Sequence, residues 1–333
     1  MPVTIGHIGI IVGDLENAIE RWSAVTGYTF SEISRYRTDR YCDHSEPTPH
    51  HHDARIALSV EGEPHIELME FTGEGTHSAK HGEGFHHFGF TGTVDLEGRM
   101  AELRALGVRH DGRSFDPEGR LLLWFTDRDD LNGIRLEYVS PATPPIVTDA
   151  GQRFPLLPDG MVDIFRGAAP TPGFRPINHF GVMTADIERA RERWSAVTGW
   201  RFGPVTRYRT PSYVDRSDPR PHLHDARTSM TLDGPPHVEL MEFHGSGTHS
   251  RAQGEGLHHV AFVDDEPIEP LVTAVHALGI GEDGRASTPA GDILLSFTHK
   301  PDLNGIRLEF VTLAFPHPIY SEAGELLGVS DPG

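Results

Sequence analysis

Arg21-Trp22-Ser23-Ala24-Val25-Thr26-Gly27 returns, residue for residue, as Arg193-Trp194-Ser195-Ala196-Val197-Thr198-Gly199. The offset of 172 residues (193 against 21) holds again for Arg35-Tyr36-Arg37-Thr38 against Arg207-Tyr208-Arg209-Thr210 (207 against 35). It holds a third time for Leu131-Asn132-Gly133-Ile134-Arg135-Leu136-Glu137 against Leu303-Asn304-Gly305-Ile306-Arg307-Leu308-Glu309 (303 against 131). A constant offset over such a span is the mark of a duplicated unit without internal insertions. Even the tails echo each other, Pro145-Ile146-Val147 against Pro318-Ile319-Tyr320, one residue further apart. The expected organisation is a first domain over 1–145, a Pro-rich tail and linker over 146–175, a second domain over 176–318 and a C-terminal tail over 319–333.

Around the quoted stretch lies a readable order of elements. Ile8-Gly9-Ile10-Ile11-Val12 is an apolar run of strand length. Asp14 then caps a helix that carries Leu15, Ala18, Ile19, Trp22 and Val25 on one face, and Gly27 ends it. Trp22 and Trp194 therefore belong to the core. Strand patterns follow near 29–35, 55–60 and 65–71, the last two joined by Glu61-Gly62-Glu63-Pro64. From Phe85 the order restarts. His86-His87-Phe88-Gly89-Phe90 reads as a strand, Leu96, Met100, Leu103 and Leu106 form a helical stripe closed by Gly107, and strands fit near 121–126 and 134–139. The unit is βαβββ, twice per copy and four times in the chain, an α+β class.

Composition limits the partners. The 333 residues carry a formal charge of −20, which excludes a nucleic acid or an anionic membrane as the main partner, since both need a basic face. No stretch reaches the roughly 18 apolar residues of a membrane span, and no leader pattern is visible at the start. The single cysteine, Cys42, fits a reducing cytoplasm. The expected partner is a small-molecule substrate, with a homodimer as a further option. The 22 histidines are the compositional oddity, and histidine is the commonest metal ligand.

Four positions of the first copy set a ligand-type side chain inside an apolar strand. These are His7 before Ile8-Gly9-Ile10, Glu67 in His65-Ile66-Glu67-Leu68-Met69, His87 before Phe88-Gly89-Phe90, and Glu137 in Arg135-Leu136-Glu137-Tyr138-Val139. Each module supplies one histidine from its first strand and one glutamate from its last. The second copy repeats the set at the same offset as His179, Glu239, His259 and Glu309. A carboxylate buried among aliphatic side chains is costly unless it is paired or bound to metal. Two neutral imidazoles and two carboxylates would neutralise a divalent cation, and this N/O set suits Zn, Ni, Co, Mn or Fe(II) without choosing among them. The plain alternative has the glutamates facing solvent and the histidines filling core.

The repeat and its His and Glu positions resemble the vicinal oxygen chelate superfamily, which includes glyoxalase I, methylmalonyl-CoA epimerase and the extradiol dioxygenases. Lys80-His81-Gly82-Glu83-Gly84-Phe85-His86-His87-Phe88-Gly89-Phe90 is similar to the entry of the epimerase's second module. Gly254-Glu255-Gly256-Leu257-His258-His259-Val260-Ala261-Phe262 matches it more closely still. The resemblance implies four βαβββ modules forming two tandem glyoxalase-like domains. It also implies His87 and His259 as ligands, with His86 and His258 outside the set. A metal that binds vicinal substrate oxygens and stabilises an enolate-like intermediate is its chemistry. A full four-residue ligand set resembles the proton-transfer members. Extradiol dioxygenases keep two His and one carboxylate, leaving empty the position that Glu67 and Glu239 occupy here.

The leading expectation is therefore a metal-dependent isomerase, epimerase or lyase with two working sites. An Fe(II) ring-cleaving dioxygenase is the second reading, and a drug- or metabolite-sequestering protein like the bleomycin-resistance members is the third. The epimerase's glutamate base has no counterpart. In its place stand His50-His51-His52-Asp53 and His222-Leu223-His224-Asp225, so His52 or Asp53, and His224 or Asp225, are candidate bases or substrate contacts, unless the His-rich segment is a solvated loop. A detachable metal-ligand glutamate is the other option. Arg35 and Arg37 share a strand face that could hold a substrate anion or simply be solvated. Thr76-His77-Ser78 and Thr248-His249-Ser250 either touch substrate or form a plain polar connection between modules.

Overall fold

The computed structural model describes residues 3–73, 75–141, 146–157, 162–172 and 174–327. The expected boundary at Pro145, linker positions 158–161 and 173, and residues 328–333 of the expected tail lie outside the described residues. The chain divides into two compact units between Phe174 and Arg175. Among the described residues no helix is long and apolar enough to cross a membrane.

The first domain runs β1 (His7–Val12), α1 (Leu15–Thr26), β2 (Ser34–Cys42), β3 (His50–Leu58), β4 (His65–Glu70), β5 (Gly84–Phe90), α2 (Leu96–Ala105), β6 (His110–Phe115), β7 (Leu121–Thr126), β8 (Arg135–Val139) and β9 (Ile146–Thr148). The second domain repeats this as β10 (His179–Thr184), α3 (Ile187–Thr198), β11 (Thr206–Asp215), β12 (His222–Met230), β13 (His237–Glu242), β14 (Gly256–Asp264), α4 (Glu269–Ala277), β15 (Glu282–Ser287), β16 (Ile293–Thr298), β17 (Leu308–Thr312) and β18 (Ile319–Ser321). Each domain thus consists of two βαβββ modules, as the sequence pattern predicts.

Each domain closes on itself. The first sheet has the order β3-β4-β1-β5-β8-β7-β6-β2-β9, and the pairing of β2 with β3 completes a ring that leaves only β9 outside. The second sheet has the matching order β12-β13-β10-β14-β17-β16-β15-β11-β18 and is closed by β11 with β12. Ring closure removes edges that would otherwise template aggregation. The local signals act as expected at α1 and α3. Asp14 accepts from the Asn17 N–H and Asp186 from the Arg189 N–H, while Gly27 and Gly199 end the helices at φ 77° and 78°. Trp22 and Trp194 are fully buried, so truncating either to alanine would cost about 3–5 kcal/mol.

Several strand boundaries differ from the sequence pattern. Residues 29–33 contribute only a bridge from Phe30 to Ser59, and the strand starts at Ser34. Arg35 and Arg37 share a strand face as expected, and the polar run continues as strand to Cys42 with Thr38 and Tyr41 buried. The His-rich segment is not a loop but the start of β3. Strand β6, His-Asp-Gly-Arg-Ser-Phe, carries no apolar alternation and is recruited by its neighbours β2 and β7. Ile146–Thr148, expected in the linker, adds β9 against Ser34–Tyr36, and Ile319–Ser321 does the same in the second domain. On α2 only Leu96 and Leu103 of the expected stripe are buried, and Leu106 is exposed.

Candidate metal centre

The four candidate residues of each domain sit on four adjacent strands. In the order β4-β1-β5-β8 the strands carry Glu67, His7, His87 and Glu137. Register arranges them in two rows. Glu67 pairs with Gly9, and Gly9 with His87. His7 pairs with Gly89, and Gly89 with Glu137. A glycine in the middle of each row leaves room for the imidazole opposite it. A Cβ on Gly9 would lie 2.1 Å from His87 Cε1, and one on Gly89 would lie 2.0 Å from His7 Cε1. The second domain repeats the first row as Glu239, Gly181 and His259, but its other row has Ala261 between His179 and Glu309.

The donor atoms converge. His7 Nε2 lies 2.9 Å from Glu137 Oε2, 3.0 Å from His87 Nε2 and 3.8 Å from Glu67 Oε2. His87 Nε2 lies 3.5 Å from both carboxylates. In the second domain His179 Nε2 is 3.1 Å from Glu309 and 3.8 Å from Glu239, and His259 Nε2 is 3.3 and 3.8 Å from the same pair. Ligands about 2.0–2.2 Å from one cation stand roughly 2.8–3.5 Å apart at right-angled or tetrahedral spacing. Most of the measured separations fall in that window. The longer ones belong to Glu67 and Glu239, which are also the more open carboxylates, at 15% and 17% side-chain exposure against 8% and 6% for Glu137 and Glu309.

The electrostatics are those of a group of donors crowded around a point. Burial lowers His7, but the bond to Glu137 and the charges of Glu67 and Glu137 outweigh it and raise it above its ordinary 6.5; His179 behaves alike. Burial raises Glu239 to about 7, helped by the neighbouring Glu309 and opposed by His179. Burial also takes His259 down to about 3, leaving it a neutral imidazole.

The second domain fixes the proton positions of both rings. His258 Nε2 donates to the Thr248 carbonyl at 2.9 Å. Burial holds His258 well below 6.5, so its Nδ1 carries no proton and accepts from His259 Nδ1, 3.0 Å away. The lone pair of His259 is then on Nε2, a buried nitrogen with no hydrogen-bond partner among the described residues. An orphaned imidazole nitrogen facing two carboxylates is a donor set that a divalent cation would satisfy. On the other ring, His179 Nδ1 donates to Asn178 Oδ1 at 2.9 Å, which also turns a lone pair inward. The first domain has Gly6 in place of Asn178 and leaves His86 Nε2 without a partner among the described residues, although His86 Nδ1 still sits 2.9 Å from His87 Nδ1. The residues therefore fit a divalent cation, with the fuller outer shell in the second domain.

Strand alternation separates the remaining candidates. His52 is buried, stacked on Tyr41 at 4.5 Å, and lines the cavity with Glu67 and Glu137; burial lowers it to about 4. Asp53, the next residue, faces outward and pairs with Arg35 at 3.0 Å and Arg37 at 2.9 Å. His224 and Asp225 divide the same way, with His224 buried in the cavity and lowered to about 3, and Asp225 bound to Arg207 at 2.8 Å. The two arginines of each strand are thus occupied by an aspartate. The connection between modules also turns inward: His77 and His249 are buried and line the cavities. Each is tied through a threonine to a tyrosine, Tyr213 Oη to Thr248 Oγ1 at 2.7 Å and Thr248 Oγ1 to His249 Nδ1 at 2.9 Å. Tyr36, Tyr41, Tyr208 and Tyr213 are cavity residues that no local pattern distinguished from core. The cavities differ in size, about 160 Å³ in the second domain and about 50 Å³ in the first.

A family described as the glyoxalase/bleomycin resistance protein/dioxygenase superfamily matches residues 6–152 and 178–269. The chain belongs to this superfamily. The first matched region spans the first domain, and the second covers the second domain from β10 to the start of α4. A search of the curated proteins finds no match. Among solved structures, a triple mutant of 4-hydroxymandelate synthase from Streptomyces coelicolor is similar at 14% identity and a TM-score of 0.58, over 93% of this chain and 92% of that one. A halotolerant catechol dioxygenase is similar at 13% identity and 0.51, over 94% and 87%. A mutant of homoprotocatechuate 2,3-dioxygenase from Brevibacterium fuscum is similar at 17% and 0.50, over 95% and 73%. These likenesses establish the superfamily fold. The superfamily's breadth leaves the reaction to the site itself.

Proposed function

We propose that the chain is a metal-dependent enzyme of proton transfer, an isomerase, epimerase or lyase, acting on a small substrate with two vicinal oxygens. The observation that carries this reading is the fourth donor: Glu67 and Glu239 stand within 3.8 Å of the histidine nitrogens, alongside Glu137 and Glu309. His7, Glu67, His87 and Glu137 would hold one cation, and His179, Glu239, His259 and Glu309 the other. When bound, the cation supplies Lewis-acid stabilisation of charge developing on a substrate oxygen, worth several kcal/mol.

The protein's own groups divide the remaining work. Glu239 is the more open carboxylate of its pair and is raised to about 7. It also stands farther from the histidine nitrogens than Glu309 does, at 3.8 Å against 3.1 and 3.3 Å, so Glu239, with Glu67 as its counterpart, is our choice for moving a proton at the substrate carbon. His224 and His52 are too weakly basic for that step and serve as neutral hydrogen-bond partners to the substrate. Asp53 and Asp225 are assigned to holding the arginines of the outer face. The larger cavity and fuller outer shell favour the second domain as the main seat of turnover.

A second reading draws on the same distances. His7, His87 and Glu137 form the tighter subset, and two histidines with one carboxylate and open positions are the ligand type of non-haem Fe(II) oxygenases. The ring-cleaving dioxygenase reading therefore stands beside the first.

The test is proton exchange at carbon. Metal-reconstituted protein, kept strictly anaerobic in D₂O, is incubated with a panel of 2-hydroxy-ketones and 2-oxo acids, and solvent exchange at the C–H beside the oxygens is followed by NMR. Metal-dependent exchange without O₂ is expected. Turnover of catechols that requires O₂ would transfer the assignment to the second reading. A protein that neither holds nor gains stoichiometric metal would sink both and leave sequestration.

A further inference from the structure

The second domain contains a group of three imidazoles that has no counterpart among the described residues of the first. His224 on β12 (His222–Met230), His244 just after β13 (His237–Glu242) and His249 in the connection between modules place one ring nitrogen each within 4.8 Å of the others. His244 Nε2 is 3.1 Å from His224 Nδ1, and the rings of His224 and His249 are centred 4.6 Å apart. The first-domain counterparts at the same offset are His52, Thr72 and His77. One residue, His244 for Thr72, thus turns a histidine pair into a triad.

We infer that His224, His244 and His249 bind a further divalent cation of the borderline-soft class, such as Zn²⁺ or Co²⁺, in addition to the duplicated His–Glu centres. A compact triad of imidazoles is a donor set for such ions rather than for Mg²⁺ or Ca²⁺, which want oxygen. The gap from His224 Nδ1 to His244 Nε2 is close to the roughly 3.3 Å edge of a tetrahedral site. Burial lowers all three rings from their ordinary 6.5, opposed at His244 by the charge of Asp225. The His249 ring is oriented from behind by the chain from Tyr213 through Thr248 to its Nδ1, which leaves Nε2 as the donor. Such outer support is what a metal-binding histidine requires. His244 is only half-buried and gives the ion a way in. Asp225, the nearest carboxylate along the strand, is engaged by Arg207 and does not compete for the rings. Three protein nitrogens leave a fourth position open, and His224 and His249 present it toward the cavity that also holds Glu239 and Glu309.

The test is stoichiometry on the full chain. Metal-free protein is titrated with Zn²⁺ and, in parallel, with Co²⁺, and bound metal is counted by elemental analysis after gel filtration. Three equivalents are expected for the wild type, two for His244→Thr, and a further gain for Thr72→His, which builds the same triad in the first domain. Circular dichroism and thermal melting establish that each variant is folded, and His249→Asn provides a second loss variant should His244→Thr fail to fold. The inference is overturned if the wild type binds two equivalents and His244→Thr still binds two. A wild type that binds one equivalent, lost in His244→Thr, would uphold the triad while refuting the His–Glu centres, so the two failures are distinguishable.

Discussion

Adding one methyl group at Gly181 isolates the site from the rest of the fold. A Cβ there would stand 2.2 Å from His259 Cε1, 2.5 Å from Nε2 and 2.7 Å from Nδ1. Carbon contacts relax only at about 3.5–4.0 Å, so the ring has to retreat by about 1.3 Å or more. Metal–ligand bonds tolerate about 0.2 Å. Because His259 is packed against Phe297 at 5.4 Å and tied to His258, it cannot retreat and still direct Nε2 at the two glutamates. Gly181→Ala should therefore weaken the second centre at least about 100-fold, or about 2.8 kcal/mol in binding. The strain of overpacking should take about 1–3 kcal/mol from that domain's stability. Competition titration with a chromophoric chelator reads the first effect and urea unfolding the second. A folded Gly181→Ala protein with wild-type Zn²⁺ affinity and stoichiometry would refute the geometry of the glycine-centred row Glu239–Gly181–His259. Gly89→Ala should act alike in the first domain, where a Cβ would stand 2.0 Å from His7 Cε1 and Gly6 takes the place of the Asn178 that anchors His179 beside Ala261.

Three further outcomes are expected. Glu239, raised to about 7 in the metal-free protein, must lose its proton to bind a cation, so affinity at the second centre should rise with pH up to about 7 and level off above it; calorimetry in buffers of different ionisation enthalpy should register the released proton, and Glu239→Gln should flatten the slope. Asp53→Asn and Asp225→Asn remove partly exposed ion pairs on the outer face, which are worth up to about 1 kcal/mol each; kcat/KM should stay within about twofold, and its collapse in a folded variant would place these aspartates in the reaction after all. Glu309→Gln should abolish most turnover while Glu137→Gln spares it, because the cavity beside Glu309 is roughly threefold larger (160 against 50 Å³); equal losses in steady-state assays would restore two equivalent working sites.

Much of this protein is legible in its order of residues. The duplication, the βαβββ unit and the helix caps at Asp14 and Gly27 are local or repetitive features, and local features are what a chain displays before it folds. The eight His and Glu positions were readable for the same reason, as ligand-type residues standing inside apolar strands at one constant offset. What could not be read is whatever depends on which strand lies beside which. Neighbouring in sequence, His52 and Asp53 part company because β3 (His50–Leu58) alternates its faces, sending one into the cavity and the other to Arg35 and Arg37. His86, outside the expected ligand set, sits 2.9 Å from the ring nitrogen of His87, a contact that only the folded strands display. Ile146–Thr148 looked like linker and is a strand, because an edge of β2 (Ser34–Cys42) waits for it.

The sequence by itself determined which side chains are available and on which strands they ride. Only the tertiary structure decided that His7 and Glu137, 130 residues apart, meet at 2.9 Å, that a glycine clears space for His7, His87 and His259, and that His244 joins His224 and His249. The reason is physical: a donor atom becomes a site only through register across a sheet, and register is set by ring closure and packing among strands distant in the chain, which no local pattern encodes.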